Sequence, residues 1–204
     1  MLDVGANRGY YTKFFSHKVG RNGRVCAFEP VPESADTLRV QCSHRRNVDI
    51  FQLALSDEAG RRKIFVPGDD LQQASLVRQA GGSWRKCDRV FEHEIEVVTL
   101  DSWVAQQGLN RVDFIKLDVE GAEYKVLRGG EETIKRFRPL IYMEVCRDWV
   151  KGFGFELSDL VRELAKLGYT YVYQPTIKNK QFRLSPVDLM SVENGDVLVS
   201  WRAI

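Results

Sequence analysis

Short apolar runs alternate with helix-patterned stretches over the first fifty residues, and this alternation constrains the fold more than any other feature of the chain. Leu2–Val4, Arg24–Phe28 and Val48–Leu53 read as strands. Between them, Tyr10 to about His17 and Pro32 to about His44 read as helices, the second carrying Ala35, Leu38 and Cys42 on one face. Strands separated by helices form βαβ units, and the sheet they build is parallel. Glu29-Pro30 closes the second strand, because proline turns the residue before it away from helical backbone.

The middle of the chain breaks this rhythm. Arg62–Val66 and Glu94–Val98 read as extended segments around an irregular stretch, Gly68 to His93, long enough to be functional or disordered. Regularity returns at Val112–Leu117, a nearly continuous apolar strand. The segment Asp118–Glu123 then leads into a helix stopped near Gly129-Gly130. After a short helix, Pro139–Val145 is a further buried strand. Leu157, Leu160, Val161, Leu164 and Leu167 follow helical spacing, with Gly168 as the stop. Tyr169–Tyr173 and Asp196–Trp201 alternate like strands joined by a polar loop, which predicts an antiparallel pair at the sheet edge. The expectation is one domain over residues 1–204 with an insertion at about 68–93.

Composition narrows the function classes. A chain 44% hydrophobic and 28% charged is neither a disordered tail nor a coiled coil. Thirty basic against 28 acidic residues leave +2, which gives no bulk electrostatic case for nucleic acid or an anionic membrane. Cys26, Cys42, Cys87 and Cys146 form no CxxC pair, so they read as free thiols of a cytoplasmic protein. No apolar run approaches a membrane span, and no signal peptide follows Met1. Because Leu2–Val4 already reads as a core strand, either a preceding helix is missing or the chain is naturally short.

The turn Asp3-Val-Gly5-Ala-Asn7-Arg-Gly9 lies between a strand and a helix. Glycines there let backbone approach a ligand, and the helix that follows presents free N–H groups. The pattern is GxxxG rather than the GxGxxG that cradles a pyrophosphate. Asp3, two residues before Gly5, would repel a pyrophosphate and attract a cation. S-adenosylmethionine carries a sulfonium and an ammonium, so Asp3 favours it over NAD. Glu29, 20 residues past Gly9, is placed to accept hydrogen bonds from a ribose diol of either cofactor. The bland alternative for the glycines is a tight strand-to-helix turn.

Several segments resemble one family. VGANRGYYT (Val4–Thr12), FEPVPES (Phe28–Ser34), LALSDEAG (Leu53–Gly60), TLDSW (Thr99–Trp103) and IKLDVEGAEYKVLRGG (Ile115–Gly130) are similar to the FkbM-type S-adenosylmethionine-dependent methyltransferases. The resemblance runs from residue 1 to about residue 145. It implies an α/β, Rossmann-like seven-stranded fold, mostly parallel with an antiparallel last strand and helices on both faces. It further implies that Asp3, Gly5, Asn7 and Gly9 hold the methionine end of the cofactor, with Thr12 bonding its carboxylate or a nearby amide. Glu29 would take the ribose and Pro30 shape the adenine slot. Leu53–Ser56, Ala54 and Ser56 included, would flank adenine.

A hydroxyl acceptor must lose its proton during methyl transfer, and a carboxylate or histidine can take it. The candidates are Asp118 and Glu120, then His93 and Glu144. Asp118 also belongs with the cofactor residues, at the strand edge where ligands bind. The same two acids equally suit a helix N-terminus. Lys116 is read as snorkelling or pairing with a carboxylate. No metal is expected, because Glu144–Arg147 lacks the paired acid and amide that a magnesium site would want. Arg78, Arg85, Lys86 and Arg89 around Trp84 suit either an acceptor-binding lid or a solvated loop. His93 beside Cys87 makes no metal pair. His17 and His44 read as lying on solvated helix faces.

The favoured reading is therefore O-methylation of a small molecule or sugar. Two alternatives stand: an NAD-dependent oxidoreductase, and a cofactor-binding domain without turnover. A nucleic acid acceptor is disfavoured because LDVEGAE carries no aromatic-proline motif. Protein acceptors stay open, as does the oligomeric state.

Overall fold

A computed structural model describes residues 1–68, 70–178 and 181–204. The elements begin β1 (Leu2–Val4), α1 (Tyr10–Val19), β2 (Val25–Phe28), α2 (Pro32–Cys42), β3 (Val48–Phe51), β4 (Ala54–Leu55) and β5 (Gly60–Pro67). They continue with β6 (Val90–Val98), α3 (Leu100–Gln106), β7 (Phe114–Leu117), α4 (Glu123–Arg128), α5 (Glu131–Phe137) and β8 (Leu140–Cys146). The chain then forms α6 (Arg147–Gly152), α7 (Leu157–Lys166), β9 (Tyr171–Lys178), β10 (Gln181–Pro186) and β11 (Asn194–Ser200).

The main sheet has the order β10-β9-β11-β8-β7-β1-β2-β3. Strands β3, β2, β1, β7 and β8 are mutually parallel, and β11 runs antiparallel to β8 and β9. The antiparallel last strand is as the resemblance implies, but the sheet holds eight strands rather than seven. The extra strand is β10, which pairs antiparallel with β9 on the outer edge. Its sequence reads as a polar loop, with Pro186 at its end and Pro175 opposite it in β9. An edge strand tolerates proline, since one side of its ladder stays open. Part of that polar stretch, residues 179 and 180, lies outside the described residues.

Alternate residues of β2 go to opposite faces of the sheet. Ala27 packs with Leu38 and Cys42 of α2. Cys26 and Phe28 join the larger core, with Trp103 of α3, Leu127 of α4, Ile134 of α5, and Leu160 and Leu164 of α7. Near-continuous apolar strands follow from burial on both faces. Phe28 and Phe51 stack on each other and both meet Trp103 edge-to-face, with centroids 4.7 to 5.4 Å apart, filling the corner where β2 and β3 meet α3.

Residues 54–98 build a second, three-stranded sheet of order β4-β6-β5. Its hairpin partners β5 and β6 are longer than the sequence reading allowed, with Val90 pairing to Pro67. The irregular stretch is thereby shortened, and residues 90–93 belong to strand. The stretch contains two short helical turns, Leu71–Gln73 and Gly82–Arg85. No helix among the described residues is long and apolar enough to cross a membrane.

Candidate active site

The chain runs from β1 outward to β3 on one side and returns through β7 on the other side of β1. The gap between β1 and β7 at their carboxyl ends is thus a topological switch point, where open α/β sheets bind ligands. A cleft of about 380 Å³ opens there. Val4–Arg8, Phe28–Pro30 and Leu53–Leu55 line one part of it, and Lys116, Asp118–Glu120 and Glu144 another. Its volume falls within the range of small-molecule pockets, roughly 300–1,000 Å³.

The glycine turn is held from below. The Gly5 and Ala6 N–H groups both donate to the Phe28 carbonyl, at 3.1 and 2.9 Å. Gly5, Asn7 and Gly9 all have positive φ, at 77°, 47° and 86°. Gly5 is required for space as well as for φ, because a Cβ there would strike the Asp118 carbonyl. The turn therefore has its glycine because two strand ends approach each other, whatever ligand it serves. Gly9 starts α1 and does not line the cleft.

Glu29 is buried at the cleft wall. Its Oε2 accepts the Asn7 N–H at 2.8 Å and its Oε1 accepts the Val31 N–H at 2.9 Å. Burial raises its ionisation to about 7, against the pull of those two N–H groups. Each oxygen keeps a further lone pair for a ligand hydroxyl. Pro30 and Ala54 also line the cleft; Ser56 does not, its N–H being spent on the Val98 carbonyl.

Asp3 and Thr12 have different work from that expected. Asp3 is 0% exposed. Its Oδ2 accepts the Thr12 hydroxyl at 2.5 Å, and its Oδ1 lies 3.7 Å from the Lys116 ammonium. Its charge is thus met inside the protein and does not open on the cleft. Thr12, equally buried, donates to Asp3 and does not line the cleft. The direction in which a strand-end side chain points cannot be read from its spacing to a glycine. Lys116 in turn pairs with Asp118 at 3.0 Å and donates to the Gly5 carbonyl at 2.7 Å. Burial opposes its charge, but the Asp118 and Asp3 carboxylates outweigh burial and hold its ionisation above the ordinary lysine range.

Across the cleft, carboxyl oxygens of Asp118, Glu120 and Glu144 lie within 4.8 Å of one another, a set able to hold a cation. Burial first, then the charges of Asp118, Glu144 and Glu123, push Glu120 up to about 10. Glu144 is raised to about 8 by burial and by Asp118 and Glu123. Glu120 and Glu144 therefore keep their protons more readily than ordinary glutamates. Glu123, whose place the sequence reading missed, is fully enclosed beneath it and accepts the Val119 and Gly121 N–H groups. Its signal was available: a glutamate four residues after Val119 can reach back to a helix entrance.

His93 does not join these groups. It sits on β6, opposite Ile64, with its Nε2 3.7 Å from Glu33 of α2. Strand pairing of 90–98 carries it away from the cleft. Trp84 is buried, Arg78 pairs with Glu92, and Arg85 donates to the Ala80 carbonyl. The cleft wall given by this stretch comes instead from Leu71, Gln72, Ala74 and Leu76.

Comparison with known proteins agrees with this geometry. The sequence model of the methyltransferase FkbM domain matches residues 3–171. The 2-O-methyltransferase NoeI of Sinorhizobium fredii (strain NBRC 101917 / NGR234) is 31% identical over 152 residues, covering 71% of this chain and 62% of that protein. The 31-O-demethyl-FK506 methyltransferase FkbM of Streptomyces tacrolimicus is 33% identical over 156 residues, covering 65% and 60%. The chain thus spans about 60% of the length of these two curated relatives. Among solved structures, methyltransferase FkbM from Methylobacillus flagellatus KT superimposes with a TM-score of 0.60 at 17% identity, over 98% of this chain and 42% of that one, a likeness of fold. With the domain match extending from the first strand into β9, this chain belongs to the FkbM methyltransferase family.

Proposed function

We propose that this domain transfers a methyl group from S-adenosylmethionine to a hydroxyl of a small molecule or a sugar. The observation that carries the reading is a buried carboxyl, Glu29, on one side of a switch-point cleft whose other side is a cluster of three carboxyls, Asp118, Glu120 and Glu144. The residues suit the cofactor. Phe28, Leu53, Ala54 and Leu55 offer apolar walls to an adenine ring, and Glu29 offers free lone pairs to a ribose diol. The three carboxyls suit the positive charges of the methionine end. Bound there, S-adenosylmethionine supplies a methyl group already activated on a sulfonium.

The chain's own task is then alignment and proton removal. Alignment of reacting groups is worth roughly 7–11 kcal/mol of barrier. Asn7 and Gly5 set the turn, Lys116 ties that turn to Asp118, and the Leu71–Leu76 wall excludes water. Asp118 and Glu144 are the groups to take the acceptor's proton, while Glu120, pushed up to about 10, already holds one of its own. His93 has no part in this reading. Both curated relatives named above carry an oxygen position in their names, which supports a hydroxyl acceptor. Four free thiols suit a cytoplasmic setting. Asp3 no longer argues against the oxidoreductase alternative, because it does not line the cleft, but the family match favours methyl transfer and no observation favours the oxidoreductase.

Calorimetric titration with S-adenosylmethionine, S-adenosylhomocysteine and NADH tests the reading, with Glu29→Ala as control. Micromolar binding of the first two, much weakened in the variant, is expected. Binding of NADH alone would overturn it. Transfer of labelled methyl to a panel of sugars and phenols then defines the acceptor.

A further inference from the structure

Residues 70–79 reach both sides of the cleft, and at both they hold a residue of the same unusual backbone. Three described non-glycine residues have positive φ: Asn7 at 47°, Glu120 at 57° and Arg138 at 48°. Arg138 ends α5 and takes no part in the cleft. Asn7 and Glu120 line it. The Asn7 side-chain amide donates to the Leu71 carbonyl at 3.3 Å. The Ser75 hydroxyl and the Gln79 side-chain amide each donate to the Glu120 carbonyl at 3.2 Å.

Gln79 is built in rather than resting on the surface. It is 8% exposed, and its amide nitrogen also reaches the Trp149 carbonyl at 3.3 Å, which ties in α6. Residue 152 leaves it room only as glycine, since a Cβ there would strike the Gln79 amide oxygen. Ser75 is fixed by a two-way backbone bridge to Phe65, at 2.8 and 3.0 Å. Left-handed backbone strains a residue such as glutamate and persists where its surroundings over-determine it. Gly121, next in the chain, is left-handed as well, at 98°. The pair of left-handed residues lets the Glu120 carbonyl face Ser75 and Gln79 while its carboxyl lines the cleft. Relaxation of φ at 120 would swing that carboxyl off the wall.

We infer that Gln79, assisted by Ser75, is a positioning residue that holds the Glu120 carbonyl and so keeps the Glu120 carboxyl beside Asp118 and Glu144. Its importance for turnover rests on the methyl-transfer reading, but the geometry can be tested without it. The charged groups facing Glu120 are Asp118 and Lys116 from β7 and its end, Glu144 from β8 and Glu123 from α4. Their field acts on Glu120 only while its side chain stays among them.

The test is a carbon-13 NMR titration of the glutamate side chains in the full chain, with Glu120 assigned through Glu120→Gln. The wild type should titrate near 10. In Gln79→Met, which keeps the shape and loses the donor, the Glu120 midpoint should fall by about one pH unit or more. Glu29 and Glu123 should stay put. A folded Gln79→Met with Glu120 unmoved would overturn the inference. So would one in which Glu29 and Glu123 move with it, since that is general loosening. If Gln79→Met does not fold, Ser75→Ala decides by the same criteria, with a smaller shift. Loss of S-adenosylhomocysteine binding in the wild type would sink the functional reading instead, and the titration would still judge the latch.

Discussion

Glu29→Gln separates what the fold wants at this position from what the ligand wants. In the folded chain the Glu29 carboxyl ionises at about 7 rather than 4.5, because burial disfavours the charge. Between those two values the unfolded chain has released its proton while the folded chain keeps it. Folding stability therefore falls as pH rises through this window. The contribution is fully present below 4.5 and gone above about 7. At 1.36 kcal/mol per pH unit, the loss amounts to about 3 kcal/mol. Glutamine does not titrate, but it offers one acceptor where Glu29 uses two, so either the Asn7 or the Val31 N–H loses its partner. That costs about 1–3 kcal/mol at every pH. The wild type should thus be the more stable protein at pH 5, and its lead should shrink by about 3 kcal/mol by pH 8, where the variant equals it or exceeds it by up to about 2 kcal/mol. Urea unfolding of both proteins at pH 5, 6, 7 and 8 measures this, and the other titrating groups cancel in the difference. Affinity should move independently. An ionised acceptor for the ribose diol is worth about 1.5–3 kcal/mol, so the variant should bind S-adenosylhomocysteine at pH 8 roughly 10- to 150-fold more weakly. Parallel stability curves would refute the burial argument, and equal affinities would refute the assignment of Glu29 to the ligand.

Two further outcomes follow from the same geometry. Lys116→Met strands the buried Asp3 carboxylate and should cost about 3–5 kcal/mol, lowering the melting temperature by about 10 °C or more; a shift of a few degrees would mean that the ion pair carries little. Asp101→Ala removes the acceptor of the Glu132 and Thr133 N–H groups at the start of α5, and should lower it by about 2–4 °C with cofactor affinity unchanged.

What could be read in advance was whatever local pattern decides. Continuous apolar runs such as Val25–Phe28 and Leu140–Cys146 become buried strands, because burial on both faces demands them. Gly5 and Gly9 mark positive φ, and Glu29 and Asp118 announce themselves by standing at strand ends. What was hidden depends on partners distant in sequence. Helix α3 lay within a motif that signals the family, and β10 was masked by Pro186 and by Pro175 of its partner β9. The inward aim of Asp3 is set by Lys116, 113 positions away, and the displacement of His93 by the pairing of β6 with β5. Glu144 lies on β8, where half-buried positions alternate with buried ones, and only the folded sheet shows that its side chain reaches Asp118. Nothing near Gln79 announces that its amide will meet the Glu120 carbonyl.

The position of β11 bears on how the molecule can be made. It follows β9 and β10 in the chain yet lies between β8 and β9, with six residue pairs to β8 and three to β9. Until Asn194–Ser200 has left the ribosome, β8 is an open edge and the β9–β10 hairpin has no place to dock. At roughly 5–20 residues per second, the finished half of the sheet waits for seconds with unpaired backbone exposed. The last strand acts as a wedge that closes two edges at once, so assembly of this sheet cannot finish while the chain is still being synthesised through β10.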